Sequence, residues 1–371
     1  MPAWINHFCT ASSLIAALWG APVLAQDGGS ASLTTGASYS SLRGGLAFVG
    51  LEADDLLGSG IDLSLGHQAG EDGGAFNARV SKTYALGDTA LGTQTFVRVV
   101  LEGQTTDWTS QTYSMEHFGA NVTVGAETNS GLRYDAQLFW QSDSLGNLGP
   151  SVSPLVPTGL DGSTAVGVGV GLGYSTFTSR GPLATGFDAH GSFLWATPAG
   201  DREWVAAEIG AQYNAQLPYG LVLAVQGDAG RIEGRGGDDV SIVDRAFIGN
   251  DAPRGFSYSG LGPRDYVLGG VDTALGGNSY LTASLELRTP TDNLAITLGA
   301  FVDAGALWDL DVTAGGASGM IDDSYSLRSA AGVAVYWDTS IGLLQLNVAK
   351  PIESRDYDKE EVVSLNLNFQ F

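Results

Sequence analysis

The chain has 371 residues, of which only 15% are charged, yet acids outnumber bases 40 to 17 and the formal net charge is -23. That balance argues against nucleic acid as a partner, because phosphate binding needs a basic footprint. No run of about 18 apolar residues occurs, which excludes helical membrane spans but leaves room for an alternating barrel, which a hydropathy scan does not detect.

At the amino terminus, Phe8 to Leu24 is mostly apolar and small, and Val23-Leu24-Ala25 before Gln26 has the form of a cleavage site. Residues 1–25 therefore read as a cleaved secretory signal, with a buried first helix as the competing reading because little positive charge marks the start. Its removal takes away Cys9, the single cysteine, and leaves a mature chain with no disulfide and no thiolate site. Residues 26–32 form a short periplasmic segment, and 33–371 read as one domain because one periodicity runs throughout.

That periodicity is two residues, the repeat of a β-strand. In 131–141, Leu132, Tyr134, Ala136, Leu138 and Trp140 oppose Arg133, Asp135, Gln137 and Gln141. In 203–217, Val205, Ala207, Ile209, Ala211 and Tyr213 oppose Glu208, Gln212 and Asn214. The runs 280–288 and 343–349 alternate in the same way. Several approach the ~9–11 residues that cross a bilayer at a tilt, against a soluble mean of about 5–6. The pattern predicts an all-β transmembrane antiparallel barrel of roughly sixteen strands, starting near 33, 44, 59, 75, 92, 115, 131, 163, 184, 203, 220, 278, 294, 326, 342 and 361. Short turns such as Thr128-Asn129-Ser130-Gly131 and Leu217-Pro218-Tyr219-Gly220 belong on the periplasmic side.

One connection, 232–277, is far longer than a hairpin loop, which marks it as functional or disordered. It carries Phe247-Ile248-Gly249-Asn250, then Arg254-Gly255-Phe256, then Gly262-Pro263-Arg264-Asp265. Downstream come Ser284-Leu285-Glu286-Leu287-Arg288 and Phe301-Val302-Asp303-Ala304-Gly305. Strand parity turns Asp303 inward, opposite the apolar Val302 and Ala304, and turns Glu286 inward from the preceding strand. The chain then passes Ala349-Lys350-Pro351 and ends on Leu365, Leu367, Phe369 and Phe371, which share one face opposite Asn366, Asn368 and Gln370. Taken alone, that last run fits a soluble sandwich edge as well as a barrel end.

These strings, in this order, resemble the sixth-loop signature and following motifs of the BamA-type bacterial surface antigen superfamily, the outer-membrane insertases and two-partner-secretion transporters. The resemblance is best over about residues 245–371, and Asp55-Leu56-Leu57-Gly58-Ser59-Gly60 looks like the family's first periplasmic turn. It implies a sixteen-stranded barrel with a sixth extracellular loop folded into the lumen. It also implies that Arg254 at the loop tip reaches Glu286 and Asp303, and that Phe256 packs in the lumen. A partly desolvated guanidinium needs such acceptors. Two acids and one base leave the site negative unless Glu286 also meets Arg288 or stays hydrated. Gly255 permits a tight turn, while Gly262, Pro263, Arg264 and Asp265 shape the loop. The resemblance further implies a closure seam where the first strand meets the last, with Leu365, Leu367, Phe369 and Phe371 as barrel-end signal and seam.

The expected role is insertion or translocation of polypeptides at the bacterial outer membrane, with lipid and unfolded outer-membrane proteins as partners. Only about seven residues separate Ala25 from the first strand, so the expectation is a barrel-only member that relies on a separate periplasmic partner. The alternatives are a loop-gated pore for small solutes or a structural surface antigen. No cofactor or metal is expected, nor an enzyme. Asp188, His190 and Ser192 share an inward face, but their spacing of about 7 Å along a strand makes no triad.

Overall fold

The computed structural model describes residues 30–368, apart from 41–43, 71–72, 90–91, 109–111, 178, 180, 251, 293–294 and 340–341. The expected signal, and Phe369 and Phe371 of the expected barrel-end signal, lie outside the described residues.

The strands are β1 Ser30–Ser40, β2 Gly44–Asp54, β3 Ile61–Gly70, β4 Gly73–Thr89, β5 Gly92–Trp108, β6 Ser114–Glu127, β7 Leu132–Gly146 and β8 Ser163–Ser175. They continue as β9 Gly186–Thr197, β10 Trp204–Gln216, β11 Val222–Gly234, β12 Arg264–Tyr266, β13 Asp272–Ala274 and β14 Ser279–Pro290. The last are β15 Ile296–Trp308, β16 Ala314–Gly316, β17 Gly319–Met320, β18 Arg328–Thr339, β19 Gly342–Glu353 and β20 Val363–Asn368. Sixteen of them close into one barrel, while β12–β13 and β16–β17 form small two-stranded sheets in the loops. The sixteen expected strands are thus the observed ones, and each starts within three residues of its expected position.

Each barrel strand runs antiparallel to its neighbours, so the connections alternate between two rims. The lower rim carries 55–60, 128–131 and 217–221 as turns, and the β8–β9 and β14–β15 connections also lie there. The upper rim carries 147–162, 235–278, 309–327 and 354–362, and the long loops of such barrels are extracellular. Counted from the β1–β2 connection, 235–278 is the sixth.

Alternation sorts the side chains. Leu138 is 62% and Ile209 66% exposed on the outer wall, with Val170, Leu172, Leu285, Val302 and Val333 also outward. Their inner-face neighbours Gln141, Glu208, Asn214 and Asn347 are buried. In lipid this closed ladder satisfies the backbone polar groups that an open sheet edge would leave bare.

The lumen is filled from above. Ile248, Phe256 and Leu261 of the long connection pack with Trp204, Ile232, Tyr280, Leu307 and Ala330 of the wall. A second cluster, Tyr113, Val156, Ile242, Val243, Leu275, Leu310 and Ile321, ties together several upper connections. Burying side chains of this size contributes about 1.5–3 kcal/mol each, enough to hold an otherwise irregular loop inside the barrel.

Candidate functional site: the loop tip and the closure seam

The tip of the long connection turns at Gly255, whose φ of 94° lies in the left-handed region that glycine adopts without penalty. A Cβ there would stand 2.9 Å from Ala330 Cβ and 3.3 Å from Ala349 Cβ, so the wall leaves no room for one. This close approach delivers Arg254 to β14 and β15.

Arg254 is buried, and three of its nitrogens bond Asp303. The backbone amide and Nε donate to Oδ2 at 3.0 and 2.8 Å, and Nη2 donates to Oδ1 at 3.0 Å. Ser284 Oγ donates to the same Oδ1 at 2.7 Å, so each Asp303 oxygen accepts twice. Arg254 Nη1 also donates to Glu286 Oε2 at 3.2 Å, and its guanidinium lies 3.4 Å from the centroid of the Phe301 ring. Burial opposes the charge on Arg254, but Asp303 and Glu286 outweigh it and hold the guanidinium pKa above its ordinary value.

Glu286 has further partners. Tyr336 Oη donates to Oε1 at 2.8 Å, and Arg288 Nη2 donates to Oε2 at 3.2 Å. Two bases therefore face two acids, and the site is balanced. Arg288 also reaches the lower rim, donating to Pro182 O at 3.0 Å. Beneath the tip lies a cavity of about 490 Å³ whose lining includes Tyr258, Tyr280, Arg288, Tyr336 and Gln345.

The other motif residues stabilise the loop itself. Phe256 is fully buried in the lumen cluster. Gly262 has φ 108° and lies so close to Leu307 that a Cβ would meet its side chain at 2.6 Å. Pro263 O accepts from Leu275 N at 3.0 Å. Arg264 Nη1 meets Asp272 Oδ1 at 2.7 Å, and Lys359 Nζ meets Asp272 Oδ2 at 2.5 Å. Asp265 joins three connections: Ser153 Oγ donates to it at 2.6 Å, Ala317 N at 2.7 Å and Ser318 N at 2.8 Å. Burial works against its charge, but these donors prevail and set its pKa below the usual carboxylate value.

The tip also pairs with the segment leading into the last strand. Ser257 N donates to Lys359 O at 2.9 Å, Lys359 N to Gly260 O at 2.7 Å, and Glu361 N to Gly255 O at 2.9 Å. Two residues on, β20 begins. It meets β1 at Tyr39↔Leu365 and Ser40↔Ser364 among the described residues, whereas β1 joins β2 over eleven pairs. Leu365 thus stands at the junction, while Leu367 pairs with Leu344 of β19.

Sequence reasoning did not single out Ser284 or Tyr336, although strand parity puts Ser284 on the face of Glu286. It also missed the buried group around Asp244. His190 lies 3.6 Å from Asp188 Oδ1, 3.7 Å from Asp228 Oδ1 and 4.0 Å from Glu208 Oε1 on the lumen wall.

Known proteins share this architecture. The crystal structure of BamA from Haemophilus ducreyi lacking POTRA domains 1-3 matches with a TM-score of 0.71 at 22% identity, over 90% of this chain and 69% of that one. CdiB from Acinetobacter baumannii matches with a TM-score of 0.56 at 13% identity, over 90% of this chain and 58% of that one. At these identities the likeness is one of fold. Outer membrane protein assembly factor BamA of Neorickettsia risticii is 32% identical over 149 residues, which are 39% of this chain and 19% of the relative. Its namesake from Neisseria meningitidis serogroup B is 24% identical over 227 residues, 52% of this chain and 28% of the relative. The chain therefore spans less than a third of the length of these two relatives. The Omp85 superfamily domain matches residues 55–371, from the first lower turn through the loop tip to the last strand, and the chain belongs to the Omp85 superfamily.

Proposed function

We propose that this protein works at the bacterial outer membrane as an assembly or translocation factor, accepting a polypeptide strand at the junction of β1 and β20. The observation that carries the reading is the asymmetry of β1. Eleven residue pairs fasten it to β2 but only two to β20, whose six described residues all pair with β19. Unpaired backbone groups in hydrocarbon cost several kcal/mol each, so a client strand that pairs with this edge is strongly favoured there. Such pairing is β-augmentation, in which the backbone supplies affinity without demanding one client sequence. It needs no covalent chemistry from the barrel.

Two further observations support the reading. Relatives named as outer membrane protein assembly factors share the region, and the loop tip is hydrogen-bonded to the segment that leads into β20. The clamp at Arg254 then serves to hold the loop tip, and with it residues 359–361, beside the seam while the seam opens to admit a client.

The test is a disulfide across the junction. Tyr39→Cys combined with Leu365→Cys is oxidised in the membrane, and the outer-membrane protein inventory is compared before and after reduction. Locking should deplete barrel proteins and reduction should restore them. Full assembly by the locked barrel sinks the mechanism.

A further inference from the structure

Away from the tip, the incoming limb of the long connection meets the opposite wall through a second buried group. Asp244 is fully buried, and its Oδ1 accepts from Gln141 Nε2 at 3.0 Å and its Oδ2 from Arg202 Nη1 at 2.9 Å. Arg202 Nη2 also bonds Asp143 Oδ2, and Asp143 Oδ1 lies 2.7 Å from His117 Nδ1. The members come from β6, β7, the β9–β10 connection and the loop, and all four charged or titratable side chains are buried.

Their charges do not balance unaided. Two carboxylates face one guanidinium, and one proton must join them, on the His117 imidazole or on the Asp244 carboxyl. Among the described residues one further cation acts on Asp244, that of Arg245, whose charge is shared first with Asp311, Tyr113 and Asp239. Arg245, next along the loop, is turned to Val240 O at 2.9 Å and Leu275 O at 3.2 Å. Glu102 of β5 faces His117 and is matched by Arg79 at 3.9 Å.

We infer that Asp244 is a second latch on the loop, independent of the Arg254 clamp, and that it is released by losing the proton the group shares. The inference does not rest on the assembly reading, since it concerns only the loop and the wall. Once that proton is lost, the buried group carries an excess negative charge that Arg245 offsets only in part, and it is relieved when Asp244 leaves for water. The sign agrees with the carboxyl's own behaviour, because burial raises Asp244 from 3.8 to about 7, partly offset by Arg202. A group raised on docking favours the docked state most below its free value of 3.8, and that contribution is lost as pH rises through about 7. The limb should therefore loosen as pH rises toward about 7 and stay loose above it, while the tip stays fixed.

Hydrogen exchange of the purified barrel in lipid nanodiscs, corrected for the intrinsic pH dependence of exchange, tests this. Segment 240–247 should lose protection by up to about tenfold per pH unit as pH rises from about 4 to about 7 and level off above that, while 252–258 keeps its own. Asp244→Asn retains an acceptor for Gln141 and leaves Arg202 balanced by Asp143, so its segment 240–247 should stay protected across the range. Equal protection of the native limb at about pH 5 and about pH 8 overturns the proposal. So does an Asp244→Asn protein that shows the native pH response.

Discussion

Arg254 and Asp303 are joined by three hydrogen bonds, one from the backbone amide of Arg254 at 3.0 Å and two from its guanidinium at 2.8 and 3.0 Å. The backbone and the side chain of one loop residue are thus held by one wall carboxylate. Only a guanidinium meets this geometry, because a lysine ammonium has neither the planar fork nor the flat face that lies on Phe301.

Arg254→Ala leaves Asp303 and Glu286 buried beside Arg288 alone. Breaking one side of a buried pair costs about 3–5 kcal/mol, so the tip should undock and become open to protease. Arg254→Lys should recover only part of the protection. Trypsin digestion of intact membranes, following cleavage within 245–264, checks both variants.

Gly255→Ala tests the close approach rather than the charge. The left-handed backbone costs a side chain about 1–2 kcal/mol, and the contact with Ala330 adds to it. Partial undocking is expected with the ion pair chemically intact. Combining it with Ala330→Gly should restore part of the docking, and a double variant no better than the single one would count against the contact.

Asp265 behaves oppositely to Asp244 with respect to pH. Its docked value lies below 3.8, so the stability it lends is present above 3.8 and is lost as pH falls through the docked value. Connections 147–162 and 309–327 should loosen together under acid. Asp265→Asn should loosen them at neutral pH, as measured by proteolysis of the two segments.

Ile209 is 66% exposed at the middle of β10, on the face that lipid covers in a membrane. Ile209→Arg should destabilise the folded barrel by about 2–4 kcal/mol if it lies near the bilayer midplane, whereas Gln212→Arg on the lumen face should cost much less. Urea unfolding in lipid vesicles compares the two.

The barrel was legible because one repeat of two residues governs most of it. Starts at Gly44, Gly92, Ser163 and Gly342 coincide with the expected positions. β1 begins three residues earlier than expected, where Ser30 to Ser32 alternates too weakly to mark an edge. Inward orientation of Glu286 and Asp303 followed from parity alone. The Asp244 group did not, since its partners lie 42 and 103 residues away and enter partly through connections that have no period to read. The small sheets β12–β13 and β16–β17 escaped for the same reason: strands of two or three residues are shorter than any pattern that would reveal them.

The two pairs that close the barrel sit at its upper end, beside residues 359–361 and their bonds to the loop. Among the described residues the loop tip and the barrel closure therefore share one short tether, so a pull on residues 359–361 acts on both at once.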